Sequence, residues 1–313
     1  MHVISALAPV FVLVLLGFLL LRVRFADDRF FHTAAKFAYW IGLPCLLFKN
    51  ISEARLSLTD AWRIFAVMSV ASLAVALLGA GAARCLRLPL PRRKTFIHTS
   101  FHCNTAFVGL PVILYALGSH PQGQKLVEMA SMAVAPMIPV FNIMSVIVMR
   151  DTGGAGGASG RDLMVAVLKK IVTNPQVLSC SAGLAVSFAG LRLPVALSRS
   201  LGSLGGMALP LALLSIGAGL SMRNIRDGLG AAMLAAAFNV AVLPLAGGLL
   251  CRMGGLSPEE TLLTLIFLAC PTASSAYIYA RQLHGDPEFA GNVILLSTLL
   301  SAPALWLVLY WGM

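Results

Sequence analysis

Apolar runs of roughly twenty residues recur along this chain, separated by short stretches rich in arginine, glycine and proline. A helix of that length crosses a hydrocarbon core of about 30 Å. The pattern predicts ten spans, at 3–21, 30–49, 62–84, 92–118, 125–149, 165–189, 195–221, 228–252, 258–283 and 288–311. Two of them are interrupted near their centres. Span 4 carries Asn104, Thr105, Gly109 and Pro111, and span 9 carries Pro271, Thr272, Ser274 and Ser275. An unpaired backbone group costs several kcal/mol in lipid, so such a break survives only where it lines a protein cavity. Paired broken helices in corresponding halves of a chain point to a transporter's substrate site.

The two halves correspond. Pro9 and Pro175 lie 166 residues apart, as do Gly17 and Gly183, and Leu43-Pro44 and Leu209-Pro210. Pro91 and Pro258 lie 167 apart, as do Cys103 and Cys270, Thr105-Ala106 and Thr272-Ala273, and Ala135-Pro136 and Ala302-Pro303. The predicted organisation is a first five-helix repeat over 1–150, a flexible linker over 151–164 (DTGGAGGASG at its start) and a second repeat over 165–313. With an odd number of spans in each, the second repeat must be inverted in the membrane. The fold class is therefore an all-α polytopic membrane protein of ten transmembrane helices, built as two inverted five-helix repeats with broken helices 4 and 9 crossing.

Charge refines this picture. Only 11% of the 313 residues are charged, against about a quarter in soluble domains. The formal net charge of +11 would suit nucleic acid, but the basic residues sit in short clusters between spans without interleaved aromatics, so no nucleic-acid partner is expected. Sixteen of the 23 Lys and Arg fall at loops after odd-numbered spans. By the positive-inside rule both termini face away from the cytoplasm, across a bacterial-type inner membrane. The first 21 residues lack a basic leading region and a clean cleavage site, so they read as a retained span. The six cysteines form no CxxC pair, which argues for small buried thiols and against a metal site.

The chemistry concentrates at the breaks. Span 9 opens with Ser257-Pro258-Glu259-Glu260, a capping box with proline at the first helical position. It then breaks at Pro271, whose ring removes a backbone hydrogen bond. If the two breaks cross, two half-helix N-termini meet, each with unpaired amides and roughly half a positive charge, which suits a carboxylate. Asn104, Thr105, Gly109, Pro111, Pro271, Thr272, Ser274, Ser275 and Tyr277 are the candidate substrate-binding residues. Asn142 in span 5 and Ser301 in span 10 join them, because those spans follow the broken ones in equivalent places. Asn239 in span 8 and Ser297 and Thr298 in span 10 read as interhelical hydrogen-bonding residues. His98 and His102, four apart on one helix face, are candidates for proton coupling. All twelve Asp and Glu fall at span ends or in loops, which leaves the coupling ion open between H+ and Na+. No cofactor is expected.

These motifs give the chain a resemblance to the auxin efflux carrier family, in its bacterial malonate-transporter-like branch. The segments that carry it are Asn104–Pro111, Asn174-Pro175, Ala208–Leu220, Pro271-Thr272-Ala273 and Leu296–Ser301, so it extends over essentially the whole chain. The resemblance implies crossing broken helices, a scaffold domain and a moving transport domain, transport of a small organic anion, and a homodimer formed through scaffold helices. Ser274-Ser275 depart from the asparagine frequent in the family after the span 9 proline, which bears on an ion or substrate site. A sodium-coupled carrier of the bile-acid type shares the architecture and is the alternative. A receptor or an intramembrane enzyme is the other class. The chain has no midplane aspartate pair and no HExxH motif of the kind intramembrane proteases need, and its histidines lie away from any GxSxG-like serine context.

Overall fold

The computed structural model describes residues 2–54, 58–118, 121–150, 165, 172–220 and 228–312. Among these the regular structure is helical, and helix stands in each predicted span. In chain order the helices are α1 (His2–Arg22), α2 (Asp28–Phe37), α3 (Leu43–Glu53), α4 (Leu58–Cys85), α5 (Leu90–Phe101), α6 (Leu110–Leu117) and α7 (Gly123–Met149). There follow α8 (Pro175–Phe188), α9 (Val195–Ala218), α10 (Leu229–Ala237), α11 (Leu243–Met253), α12 (Pro258–Leu268), α13 (Ser275–Gln282) and α14 (Pro287–Gly312). Among the described residues five stretches are long and apolar enough to cross a membrane: Ala61–Cys85, Gly123–Met149, Val195–Ala218, Leu229–Met253 and Pro287–Gly312. Leu7–Arg22, Thr105–Leu117 and Pro175–Phe188 are shorter apolar helices. The linker expected at 151–164 lies outside the described residues, as does most of the start of span 6.

Three π-turns interrupt the helices, at Ala38–Gly42, Thr105–Gly109 and Phe238–Val242. Each is followed at once by Leu-Pro: Pro44, Pro111 and Pro244. A helical proline offers no N–H and its ring crowds the carbonyl four residues back. That carbonyl belongs to Trp40, Phe107 or Val240, in the middle of each π-turn, and the wider turn makes room for it. Pro9, Pro210 and Pro303 instead sit inside continuous α-helix.

The chain divides into two compact units, and each draws on both sequence halves. The first comprises Met1–Phe65, Thr105–Ile138 and Thr173–Leu220. Its helices approach closely at glycine. A Cβ on Gly217 would lie 1.8 Å from the Val14 carbonyl oxygen, and one on Gly17 2.0 Å from that of Leu214, so α1 and α9 touch backbone to backbone. Asn50 donates to Ser131 Oγ (3.0 Å), and Ser215 Oγ to the Phe31 carbonyl (3.1 Å). Asn174 caps α8 through its side-chain oxygen and donates to Tyr39.

The second unit comprises Ala66–Asn104, Pro139–Val172 and Ser221–Met313. One buried apolar cluster of this unit joins Ala83, Phe96, Ala232, Ala235, Ala236, Phe289 and Val293, with small alanines letting α10 lie close against large aromatic side chains. The capping box expected at Ser257 is present in full: Ser257 Oγ accepts from the Glu260 amide and the Glu260 carboxylate from the Ser257 amide. Arg92 on α5 pairs with Asp286 at 2.8 Å, and Asp286 also caps α14 by accepting from the Phe289 amide.

Candidate functional site

Within the second unit the broken stretches meet. α5 ends at Phe101 and α12 at Leu268, and the extended residues that follow pair as an isolated antiparallel bridge between Cys103 and Thr272. The Asn104 amide donates to the Pro271 carbonyl and the Ala273 amide to the His102 carbonyl, both at 2.8 Å. These bonds explain how two helices can stop inside an apolar environment, because each break satisfies backbone groups of the other.

Side chains complete the cradle. Thr272 Oγ1 donates to the Thr99 carbonyl (2.9 Å), which the end of α5 would otherwise leave without a helical partner. The Thr272 amide donates to Ser297 Oγ on α14 (3.1 Å). Asn104, Thr272 and Ser297 are all buried, at 5%, 1% and 0% exposure. Past the bridge α13 begins at Ser275, with half-buried Ser274 and Ser275 at its start. The first amides of α13 have local acceptors, Ala276 the Ala273 carbonyl (2.9 Å) and Tyr277 the Ser274 carbonyl (3.3 Å), so its positive end acts through its dipole.

Beside the bridge, α5 and α7 form a seam that pairs residues in steps of four. Lys94 Nζ donates to the Met149 carbonyl (3.3 Å), His98 Nε2 lies 2.7 Å from Ser145 Oγ, and the His102 ring stacks on Phe141 with centroids 4.7 Å apart. His98 Nε2 and His102 Nδ1 are 2.9 Å apart. Tyr279 on α13 packs its ring edge-on to His98 and donates its hydroxyl to Asn142 Oδ1 (2.6 Å).

Of the predicted site residues, Asn104, Pro271, Thr272, Ser274, Ser275, His98 and His102 gather at or beside the bridge. Asn142 reaches this neighbourhood through Tyr279. Thr105, Gly109 and Pro111 belong to the first unit, where they form the second π-turn and the start of α6. Tyr277 is 44% exposed and lines a cavity of about 590 Å³ with Arg92, Arg281 and Asp286. Ser301 donates to the Thr298 carbonyl of its own helix (2.8 Å), and Ser297 is the span 10 hydroxyl that touches the break. Asn239 does not make the expected interhelical hydrogen bond: its amide is buried and neither atom has a partner among the described residues. Ser72, 167 residues earlier, is in the same state.

Ser145 and Tyr279 carry contacts that the sequence did not single out, while Ser297 makes the interhelical hydrogen bond expected of it. Ser145 had a signal, the i, i+4 spacing of Phe141, Ser145 and Met149, which matches that of Lys94, His98 and His102 on an antiparallel neighbour. Tyr279 had none, because the helical phase after a break is set by the break's own geometry. All six cysteines are free, and Cys103, Cys180, Cys251 and Cys270 are buried.

The family described as "Membrane transport protein" matches residues 2–309. The chain belongs to that family. Among the relatives of this transporter-family chain is a Rhizobium meliloti protein named "Putative malonate transporter", 26% identical over 307 residues, covering 96% of this chain and 93% of the relative. Another is an "Uncharacterized transporter" of Methanothermobacter thermautotrophicus, 24% identical over 299 residues, covering 95% and 94%. Membership places the chain among auxin efflux carrier-type membrane transport proteins, in keeping with its apolar helices.

Proposed function

We propose that the protein is a secondary active carrier that moves a small organic carboxylate, of the malonate type, across the bacterial inner membrane. In this reading ten spans form two inverted repeats, both termini face away from the cytoplasm, and the scaffold helices of the first unit join two copies. The carboxylate binds where the broken stretches of spans 4 and 9 pair, and alternating access carries it across. Asn104, Ser274 and Ser275 hold the anion at the positive end of α13, Thr272 ties together the break that presents them, and Thr105, Gly109 and Pro111 shape the start of the other half-helix.

The observation that carries the reading is the Cys103–Thr272 bridge, which brings two breaks together among buried polar side chains without a formal charge at the bridge itself. Such a place can host an anion on backbone dipoles and release it again, because no fixed counter-charge traps it. The name of the Rhizobium relative selects malonate as the first substrate to try.

The test is uptake of labelled malonate by proteoliposomes, with the Asn104→Ala variant beside the parent and with sodium present or absent. The parent is expected to accumulate malonate, and Asn104→Ala is expected to lose uptake while keeping the parent's elution profile. Undiminished uptake by Asn104→Ala would remove the bridge from the binding site. Uptake only on a sodium gradient would move the protein to the sodium-coupled class.

A further inference from the structure

We infer that His98 and His102 act as one proton-binding unit, loaded together with the carboxylate, and that Ser145 is its positioning residue. The inference rests on the carboxylate reading above and adds the coupling ion to it.

Hydrogen-bond bookkeeping leads there. Only one hydrogen fits between His98 Nε2 and His102 Nδ1 at 2.9 Å, so in the neutral pair one nitrogen donates and the other accepts. The Ser145 hydroxyl spends its own hydrogen on the Phe141 carbonyl at 2.6 Å, so its oxygen can only accept from the imidazoles. It lies 2.7 Å from His98 Nε2 and 3.3 Å from His102 Nδ1. The neutral pair therefore carries a hydrogen on His98 Nε2, shared between Ser145 Oγ and His102 Nδ1, and His102 Nδ1 itself is bare. This tautomer is assigned from the bond network. A second proton goes to His102 Nδ1, and the second lone pair of Ser145 Oγ is there to receive it after a small separation of the rings.

Placement makes the proton useful. The His102 carbonyl is itself part of the bridge, accepting from the Ala273 amide, so a charge on its ring sits beside the proposed anion site. His98 is fully buried and His102 is 7% exposed. An imidazolium or a carboxylate alone is costly in such surroundings, while the two together offset one another. Binding of each must then favour binding of the other by the same factor. The groups facing the pair are Lys94 from its own helix, Asn142 and Ser145 from α7, and Tyr279 from α13; Cys103 and Cys270 stand at the bridge and Asp286 is bound by Arg92. None of these is a carboxylate free to hold the proton in place of the histidines. Among the described residues no three His, Cys, Asp or Glu side chains gather as a metal site.

Two measurements on the whole protein in lipid nanodiscs test this. The first is labelled-malonate affinity against pH. One linked proton predicts about a tenfold loss of affinity per pH unit on the alkaline side. His102→Gln should flatten that slope, and Ser145→Ala should keep it but displace its midpoint. A slope unchanged in His102→Gln would overturn the inference. The second is the nitrogen-15 histidine spectrum from weakly alkaline to weakly acidic pH, with saturating malonate and without it. His98 and His102 are expected to change together, with Ser145→Ala moving the common midpoint. With malonate bound, both rings keeping their neutral signature, or changing independently, would overturn the proton site. Joint titration in a protein that ignores malonate would keep the proton site and sink the carboxylate reading.

Discussion

Replacing Ser297 with alanine, and Ser301 with alanine as its comparison, separates two positions one helical turn apart in α14. Both hydroxyls are fully buried in polar company. Ser301 bonds only back to Thr298 in its own helix, so its removal leaves a carbonyl that the helix already serves. Ser297 accepts the Thr272 amide, a donor with no helix to fall back on because it lies inside the break. Without that oxygen a buried N–H is left unmade, at about 1–3 kcal/mol. Ser297→Ala should therefore cost about 1–3 kcal/mol and Ser301→Ala less than about 0.5 kcal/mol. The assay is thermal unfolding of the purified protein in one detergent, both variants measured beside the parent. Uptake should fall with Ser297→Ala alone, since the Thr272 amide also fixes the bridge. Equal midpoints for the two variants would refute the assignment of Ser297 to the break.

Other outcomes follow from the same geometry. Gly217→Ala puts a methyl 1.8 Å from the Val14 carbonyl oxygen, which backbone alone can relieve, so α1 and α9 must separate at about 1–3 kcal/mol; an unfolding midpoint equal to the parent's would contradict the contact. Asp286→Ala loses both the Arg92 pair and the cap on α14, for about 1–2 kcal/mol, whereas Asp286→Asn keeps a capping oxygen and should cost less; thermal melts of the two rank them. Partial burial pushes the Glu53 carboxyl up, but hydrogen bonds from Ser198 and Lys49 outweigh it and hold the group below its ordinary range. Its stabilising share is thus present above the unfolded glutamate value of about 4.3 and is lost as pH falls through the lower folded value; Glu53→Gln should flatten the acid limb of a melting-midpoint profile there.

Much of the site was legible because its causes are local. Proline and glycine gathered with small polar residues in the middle of two apolar runs marked the breaks, and Cys103 with Cys270 and Thr105-Ala106 with Thr272-Ala273 matched those breaks to each other. Ser257-Pro258-Glu259-Glu260 specified its own capping box, since every atom involved lies within one turn. Leu-Pro after residues 42, 109 and 242 coincides with all three described π-turns, yet Pro210 follows a leucine too and stays in α-helix. Proline states that a carbonyl must move; its neighbours decide whether the turn widens.

The pattern of residues by itself determined an apolar helical chain, the places where spans 4 and 9 stop, and the polar residues those places contain. Only the tertiary structure decided which groups meet there. It chose Ser297 over Ser301 and Tyr279 over Tyr277, set Ser145 against both histidines, and left Asn239 without a partner among the described residues. The physical reason is that helical phase resets at each break and at each π-turn, so which side of a helix faces the bridge depends on backbone angles fixed by packing from elsewhere in the chain. Spacing along a sequence carries no record of those angles, and a shift of one residue turns a helix face by about 100°.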